Sequence, residues 1–345
     1  MTLGANWKAA TLKDVAALAG TTAMTASRAF SKPELLSEET LSKVLAAAKQ
    51  LGYRHNALAR ALKQGVQSKL IGVVVPQVAN QIFAKLAYGI DTALQEHGYR
   101  MMLAQSGDNV EWEKIAVNKL FSWRIDGLII VPSGDGAFLK DLESRGEIPV
   151  VSAARPAIFG NFDEVTLDDV AGAELAVNDL IQQGHRRIAR LGKDDSLTTA
   201  NRRMAGYRRA LTEAGIEFDA NLIRADNMSI EDARVSTEAL LSLEDPPTAI
   251  FAESNLLTIG ALRAASEQKS ALAVNGFDDL DLSDLLAPSC GLVSYDAVKM
   301  GQISCDLMLS RIAQPELLPR RVVMPSTLNR TGKENRNDFY SVALQ

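Results

Sequence analysis

The chain has 345 residues, 47% hydrophobic and 23% charged, with 37 Lys and Arg against 42 Asp and Glu for a formal net charge of −5. That balance implies two or three domains with substantial cores and excludes a disordered chain. No apolar run approaches the roughly 20 residues that span a bilayer, residues 1–10 lack a signal-peptide core, and Cys290 and Cys305 are too few and too far apart for a metal cluster or redox pair, so a cytoplasmic protein with no disulfide, metal or cofactor is expected.

In residues 12–19 the apolar side chains Leu12, Val15, Ala16 and Ala19 fall on one helical face, and Gly20 stops the helix by accepting a positive φ. Thr22 is a natural N-cap for a second helix over residues 23–29, because its hydroxyl can accept from a first-turn amide. Ala16, Gly20 and Ala26 are small where two helices joined by so tight a turn must nearly touch. This is a helix-turn-helix pattern, which projects its second helix into a major groove, although any αα-hairpin carries small residues near its turn. Charge separates the two readings. Residues 1–66 carry nine Lys and Arg against Asp14, Glu34, Glu38 and Glu39, whereas the remainder has 28 basic and 38 acidic residues. A basic head on an acidic body suits phosphate binding by the head. Ser37 then precedes a third helix over residues 38–51, with Leu41, Val44, Leu45, Ala48 and Leu51 at spacings of 3 and 4, ended by Gly52.

From Leu70 the texture changes to short β-rich runs alternating with amphipathic helices. The runs cover residues 70–76, 100–105, 126–132, 148–152, 186–192, 248–253 and 271–277, each continuous in hydrophobicity, as parallel strands covered on both faces require. Helices stop at Gly98, Gly146, Gly184 and Gly215. The stretches EHGYRMML and QGHRRIARL repeat one helix-stop and strand-start device, pointing to two doubly wound lobes with a ligand cleft at the strands' carboxyl ends. The expected layout is a helical DNA-binding domain over residues 1–54 and a connecting segment over 55–68, which the family resemblance given below makes a hinge helix and linker. Lobe 1 is expected over 69–162 and 290–330, lobe 2 over 163–289, and a tail over 331–345.

DVAALAG with the downstream TxSR, LGYxxNxxAxxL, NQIFAKLAYGI, RIDGLII, RMAGYRRAL and VNGFDDL together resemble the lactose repressor (LacI) family of bacterial transcription regulators over nearly the whole chain. TTAMTASR, NQIF and FSWRIDGLII look most like its gluconate-repressor branch. The resemblance implies an all-α helix-turn-helix head joined to an α/β, periplasmic-binding-protein-like body of two doubly wound parallel-sheet lobes. It also implies a homodimer that binds a pseudo-palindromic double-stranded operator and answers to a sugar or sugar-acid effector.

Carried over residue by residue, Ala23 and Met24 match the positions that choose the operator, and Arg28 matches a further base contact. A bidentate arginine on guanine is typically worth ~1–3 kcal/mol of discrimination. The alternative for Met24 is packing on Leu41 or Leu45. Thr22, Thr25 and Ser27 read as phosphate contacts or caps. Residues 56–63 resemble the family's hinge helix, with Asn56, Ala59, Leu62 and Lys63 on matching positions and Leu62 as the minor-groove wedge. A helix of about eight residues is too short to be stable alone, so it should fold as a pair on DNA.

The family's effector positions correspond to Asn80 and Phe83 after the first strand, Arg203 at the start of the RMAGY helix and Asp278 in the GFDD loop, with Arg155 beside them. A solvated Arg203 and a turn-capping Asp278 are the alternatives. Arg155 and Arg203 together suggest a basic cleft that favours an anionic ligand. Three departures separate the chain from the family pattern: Glu253, Ser254 and Asn255 replace an Asn-Asp pair, Ala153 and Ala154 stand where an acid precedes Arg155, and the connection EQKS is short. The tail has no leucine heptad, so a dimer is expected rather than a tetramer. A non-regulatory sugar-binding protein would carry an export signal and no basic head. An enzyme is disfavoured because GxGxxG and P-loop motifs are missing.

Overall fold

A computed structural model describes residues 10–53, 67–145, 148–157, 159, 162–195, 197–285 and 289–331. They fall into two compact units that part between residues 68 and 69.

Among its described residues the first unit contains three α-helices, α1 (Leu12–Leu18), α2 (Ala23–Ser31) and α3 (Glu38–Gln50). Each begins at a hydroxyl cap: Thr11 with Asp14 forms a capping box, Thr22 accepts from the Thr25 amide at 3.1 Å, and Ser37 accepts from the Thr40 amide. Val15, Ala16, Ala26, Ala29, Val44, Ala47 and Ala48 form the shared core. Ala16 and Ala26 are small at that contact as expected, but Gly20 is not. A Cβ at Gly20 would meet open space, and its φ of +64° shows that glycine serves the left-handed turn and not close packing.

The second unit is built on two six-stranded sheets. The first has the order β11-β5-β4-β3-β1-β2, formed by β1 (Leu70–Val75), β2 (Arg100–Gln105), β3 (Gly127–Ile130), β4 (Val150–Ala154), β5 (Asp163–Leu167) and β11 (Arg321–Met324), all paired in parallel. The second has the order β12-β10-β9-β8-β6-β7, formed by β6 (Ile188–Leu191), β7 (Ile223–Arg224), β8 (Ala249–Ala252), β9 (Ala273–Phe277), β10 (Gly291–Ser294) and β12 (Thr327–Arg330), with only the β10–β12 pair antiparallel. The intervening helices are α4 (Gln81–Glu96), α5 (Val110–Ser122), α6 (Ala137–Arg145), α7 (Asp169–Gln182), α8 (Thr198–Glu213), α9 (Ile230–Leu241), α10 (Asn255–Glu267) and α11 (Ala297–Ala313). Strand order reverses at β1 and at β6, the switch points where doubly wound sheets open a crevice beyond their strands' carboxyl ends.

The lobe boundaries differ from those expected. β5 joins the first sheet, so the chain first crosses after Leu167, not after residue 162; β10 stays in the second sheet, so the return comes after Ser294 and not near residue 290. The helix that follows, α11, does pack on α4 of the first lobe. Its Gly301 and the facing Gly89 admit backbone so close that a Cβ on either would collide with a carbonyl, of Leu86 and Val298 respectively. β11 and β12 then end in different sheets. β5 escapes a hydrophobic reading because it opens with two acids. Asp163 is nevertheless buried, accepting from the Arg320 amide at 2.8 Å and from the guanidiniums of Arg320 and Arg311 at 3.0 and 3.2 Å, while Glu164 pairs with Arg321. The expected stop at Gly146 and the tail beyond Thr331 lie outside the described residues. No helix among the described residues is long and apolar enough to cross a membrane.

Candidate functional site

Helix α2 sends Ala26 and Ala29 into the head's core and turns Thr22, Ala23, Met24 and Arg28 outward. Met24 is 66% exposed and stands outside the head's core, against the alternative of packing inside the head on Leu41 or Leu45. Met24 and Arg28 stand one turn apart on the same face. Thr25 and Ser27 are half-buried, and the Thr22 and Thr25 hydroxyls bond each other at 3.0 Å within the cap. Ala23 and Met24 are exposed in the first turn of α2, and the positive dipole end of a helix suits phosphate. The hinge-helix positions Asn56, Ala59, Leu62 and Lys63 lie outside the described residues.

In the body, the loops after β1, β4, β6, β8 and β9 converge. Asn80 caps α4, its Oδ1 accepting from the Ile82 amide at 3.0 Å, and exchanges two amide hydrogen bonds of 3.1 and 3.0 Å with Asn255, the first residue of α10 in the opposite lobe. Arg155, just past β4, donates to Asp108 Oδ1 at 2.6 Å and to the Pro132 carbonyl, and its guanidinium faces the Phe83 ring 5.9 Å from the centroid. Lys193 reaches Asp108 Oδ2 from the second lobe at 2.6 Å. Burial pushes the Asp108 carboxyl up, but the Arg155 and Lys193 cations outweigh it and hold the group at about 2.

Across the cleft Arg203, on α8, is buried rather than solvated. Its Nε donates to Asp169 Oδ1 at 2.9 Å, Nη1 donates to the Glu253 carbonyl, and the guanidinium lies 3.5 Å from the centroid of the Phe277 ring. Asp278 is likewise no surface turn residue: it is buried and accepts from the Tyr295 hydroxyl at 3.0 Å. Burial raises the carboxyls of Asp169 and Asp278 despite the opposing Arg203 charge. Asp108, Ala154 and Asp278 take φ of +58°, +60° and +72°, backbone that side chains other than glycine rarely adopt. Such strain gathers where side chains must be aimed.

Asn80, Phe83, Arg155, Arg203 and Asp278 line one cavity of about 60 Å³, together with Lys193, Glu253 and Tyr295. It has room for about two waters. The basic cleft expected from Arg155 and Arg203 is not found, because both guanidiniums already hold carboxylates. Counting the layer behind the cavity, Arg155, Arg190, Lys193 and Arg203 face Asp108, Asp169, Asp195, Glu253 and Asp278. Arg190, Asp108, Lys193 and Tyr295 went unnoticed in the sequence. For Arg190 a signal existed: a charge inside RRIARLG, a run otherwise fit for a strand covered on both faces.

The description "Bacterial regulatory proteins, lacI family" matches residues 11–56, and "Periplasmic binding proteins and sugar binding domain of LacI family" matches residues 68–331. The chain is 30% identical over 308 residues to the HTH-type transcriptional repressor CytR of Escherichia coli, covering 88% of this chain and 90% of that protein. It is 28% identical over 322 residues to the ribose operon repressor of Haemophilus influenzae, covering 92% and 96%. Among solved structures, the Lac repressor dimer bound to operator and the anti-inducer ONPF is similar at 27% identity and a TM-score of 0.78, covering 94% of this chain and 99% of that one. The transcriptional regulator CelR in complex with cellobiose is similar at 28% identity and a TM-score of 0.68, covering 93% and 98%.

Proposed function

The chain belongs to the LacI family of bacterial regulatory proteins and is a DNA-binding transcription regulator with a small-molecule effector, not an enzyme; from that premise we propose that it is a homodimeric, cytoplasmic repressor governed by a sugar-class ligand held between its lobes. The convergence of Asn80, Phe83 and Arg155 from one lobe with Arg203 and Asp278 from the other on a single cavity carries this reading. Relatives named for ribose and cellobiose support a carbohydrate over other small molecules. A non-regulatory sugar-binding protein is disfavoured, since residues 11–56 match the family's DNA-binding part.

In this reading Ala23, Met24 and Arg28 read operator bases, Thr22, Thr25 and Ser27 position the helix on phosphates, and residues 55–68 act as the hinge, with Asn56, Ala59, Leu62 and Lys63 at the minor groove. A cavity of about 60 Å³ is too small for a pentose. Ligand sites usually enclose about 300–1,000 Å³. Admission of a sugar therefore separates the lobes, breaking the Asn80–Asn255 exchange and the Asp108–Lys193 pair, and the ligand sets the operator affinity through its unequal affinity for the two lobe arrangements.

An exposed apolar stripe of Trp112, Ile115 and Trp123 along α5 and its end supports a homodimer. Exposed patches of this kind mark interaction sites. The test is an electrophoretic shift with DNA upstream of the chain's own gene, with and without pentoses and hexoses. A shift by the intact chain that Arg28→Ala weakens and a sugar alters supports the reading; no shift with that DNA, or one indifferent to every sugar, rejects it.

A further inference from the structure

β6 is an apolar strand interrupted by one guanidinium. Arg190, between Ala189 and Leu191, is 0% exposed. An arginine is tolerated there only against compensating charge. Its Nε donates to Glu253 Oε1 at 2.5 Å, and its Nη2 donates to Asp195 Oδ1 at 2.9 Å and to the Ala200 carbonyl at 3.2 Å. Gly192 makes the room, since a Cβ at that position would overlap both the guanidinium and the carboxylate. Glu253 lies at the carboxyl end of β8 and lines the same cavity as Arg203 and Asp278.

The pair is incomplete. Glu253 Oε2 and Arg190 Nη1 have no hydrogen-bond partner, and neither does Asp169 Oδ2 behind Arg203. Buried polar atoms are nearly always paired, so such orphans need a reason. Two of the three are carboxylate oxygens, which only a donor can satisfy. Arg155, Arg190, Lys193 and Arg203 are each already bound to a carboxylate, so an incoming anion would meet neutralised cations and the carboxylates of Glu253 and Asp278 on the cavity wall.

Resting on the cleft as the effector site, we propose that the Arg190–Glu253 pair is its specificity element: Glu253 accepts from a hydroxyl or ammonium group of the effector, and its carboxylate, sharing the cavity wall with Asp278, refuses a sugar acid. The ligand class is a donor-rich, uncharged or cationic carbohydrate. Burial, opposed by Arg190 and Arg203 and reinforced by Asp195, pushes the Glu253 carboxyl up to about 7, so it carries part of a proton at neutral pH. A ligand that donates to the carboxylate holds it ionised and expels that proton.

The experiment is isothermal titration of the full chain at pH 7 with D-ribose, D-glucose, D-glucosamine and D-gluconate, in two buffers of different ionisation enthalpy. Heat from a neutral sugar or the amino sugar, none from gluconate, and release of a fraction of a proton on binding are expected. Glu253→Gln should weaken that binding by roughly tenfold or more, as loss of a charge-assisted hydrogen bond does, and abolish the proton release. The double change Arg190→Met/Glu253→Leu, which removes both buried charges at once and so spares the fold, should lose affinity likewise. Gluconate binding as tightly as the others, or unchanged affinity and proton release in both variants, overturns the role of the pair while leaving the cleft as effector site. Silence from all four sugars overturns both.

Discussion

On α2 the residues proposed to read bases, Met24 and Arg28, stand exposed on a helix whose other face is core, whereas in the cleft Arg155, Arg203 and Asp278 are themselves buried and tied to partners. In that reading the head keeps its fold and its function on opposite sides of one helix. In the cleft the two are the same atoms: the guanidinium proposed to meet a ligand also neutralises Asp169. Mutations should therefore separate stability from recognition in the head and confound them in the cleft.

The sharpest break of that contrast is Arg203→Ala. It leaves the Asp169 carboxylate buried without its counter-charge, and urea denaturation should show a loss of about 3–5 kcal/mol, the usual cost of breaking a buried pair from one side. A loss below about 1 kcal/mol would mean the pair is solvated. Next is Asp108→Asn. The folded carboxyl sits below its usual 3.8, so its contribution is present above that value and fades as the pH falls toward about 2. Stability curves should place the variant about 2 kcal/mol below wild type at pH 7, with the gap narrowing below pH 4. A gap that persists unchanged at low pH would assign the loss to packing.

In the head, Thr22→Ala removes the cap of α2 and should cost about 1 kcal/mol, read from thermal unfolding of the full chain by helical circular dichroism. Arg28→Ala sharpens the comparison from the other end. Its stability should stay within about 0.5 kcal/mol of wild type, while discrimination between operator and non-operator DNA drops by ~1–3 kcal/mol in competition binding. Equal losses for both DNAs would make Arg28 a phosphate contact.

The parts legible in the sequence follow the same division. The caps at Thr22 and Ser37 and the spacing of Leu41, Val44 and Ala48 are written within a few residues and were readable there. The sequence points to Asn80, Phe83, Arg155, Arg203 and Asp278 only through a family pattern, and it hides their neutralisation because the partners lie elsewhere in the chain. Asp108 is 47 residues from Arg155 and 85 from Lys193, and Asp169 is 34 from Arg203. β5 is not legible in the sequence because its acids are buried by arginines about 150 residues later.

What the sequence alone determined is local: three capped helices with a small-residue contact, a basic head, and a succession of parallel strands and helices in two lobes. The tertiary structure decided which sheet β5 and β10 join, that Gly20 serves a turn rather than a contact, and that the cleft is neutralised instead of basic. Helix periodicity and capping act over one or two turns and leave a mark in consecutive residues. Sheet membership and buried charge pairing depend on which distant segments meet, as Asn80 and Asn255 do across 175 residues, and a continuous apolar strand carries no record of its neighbour.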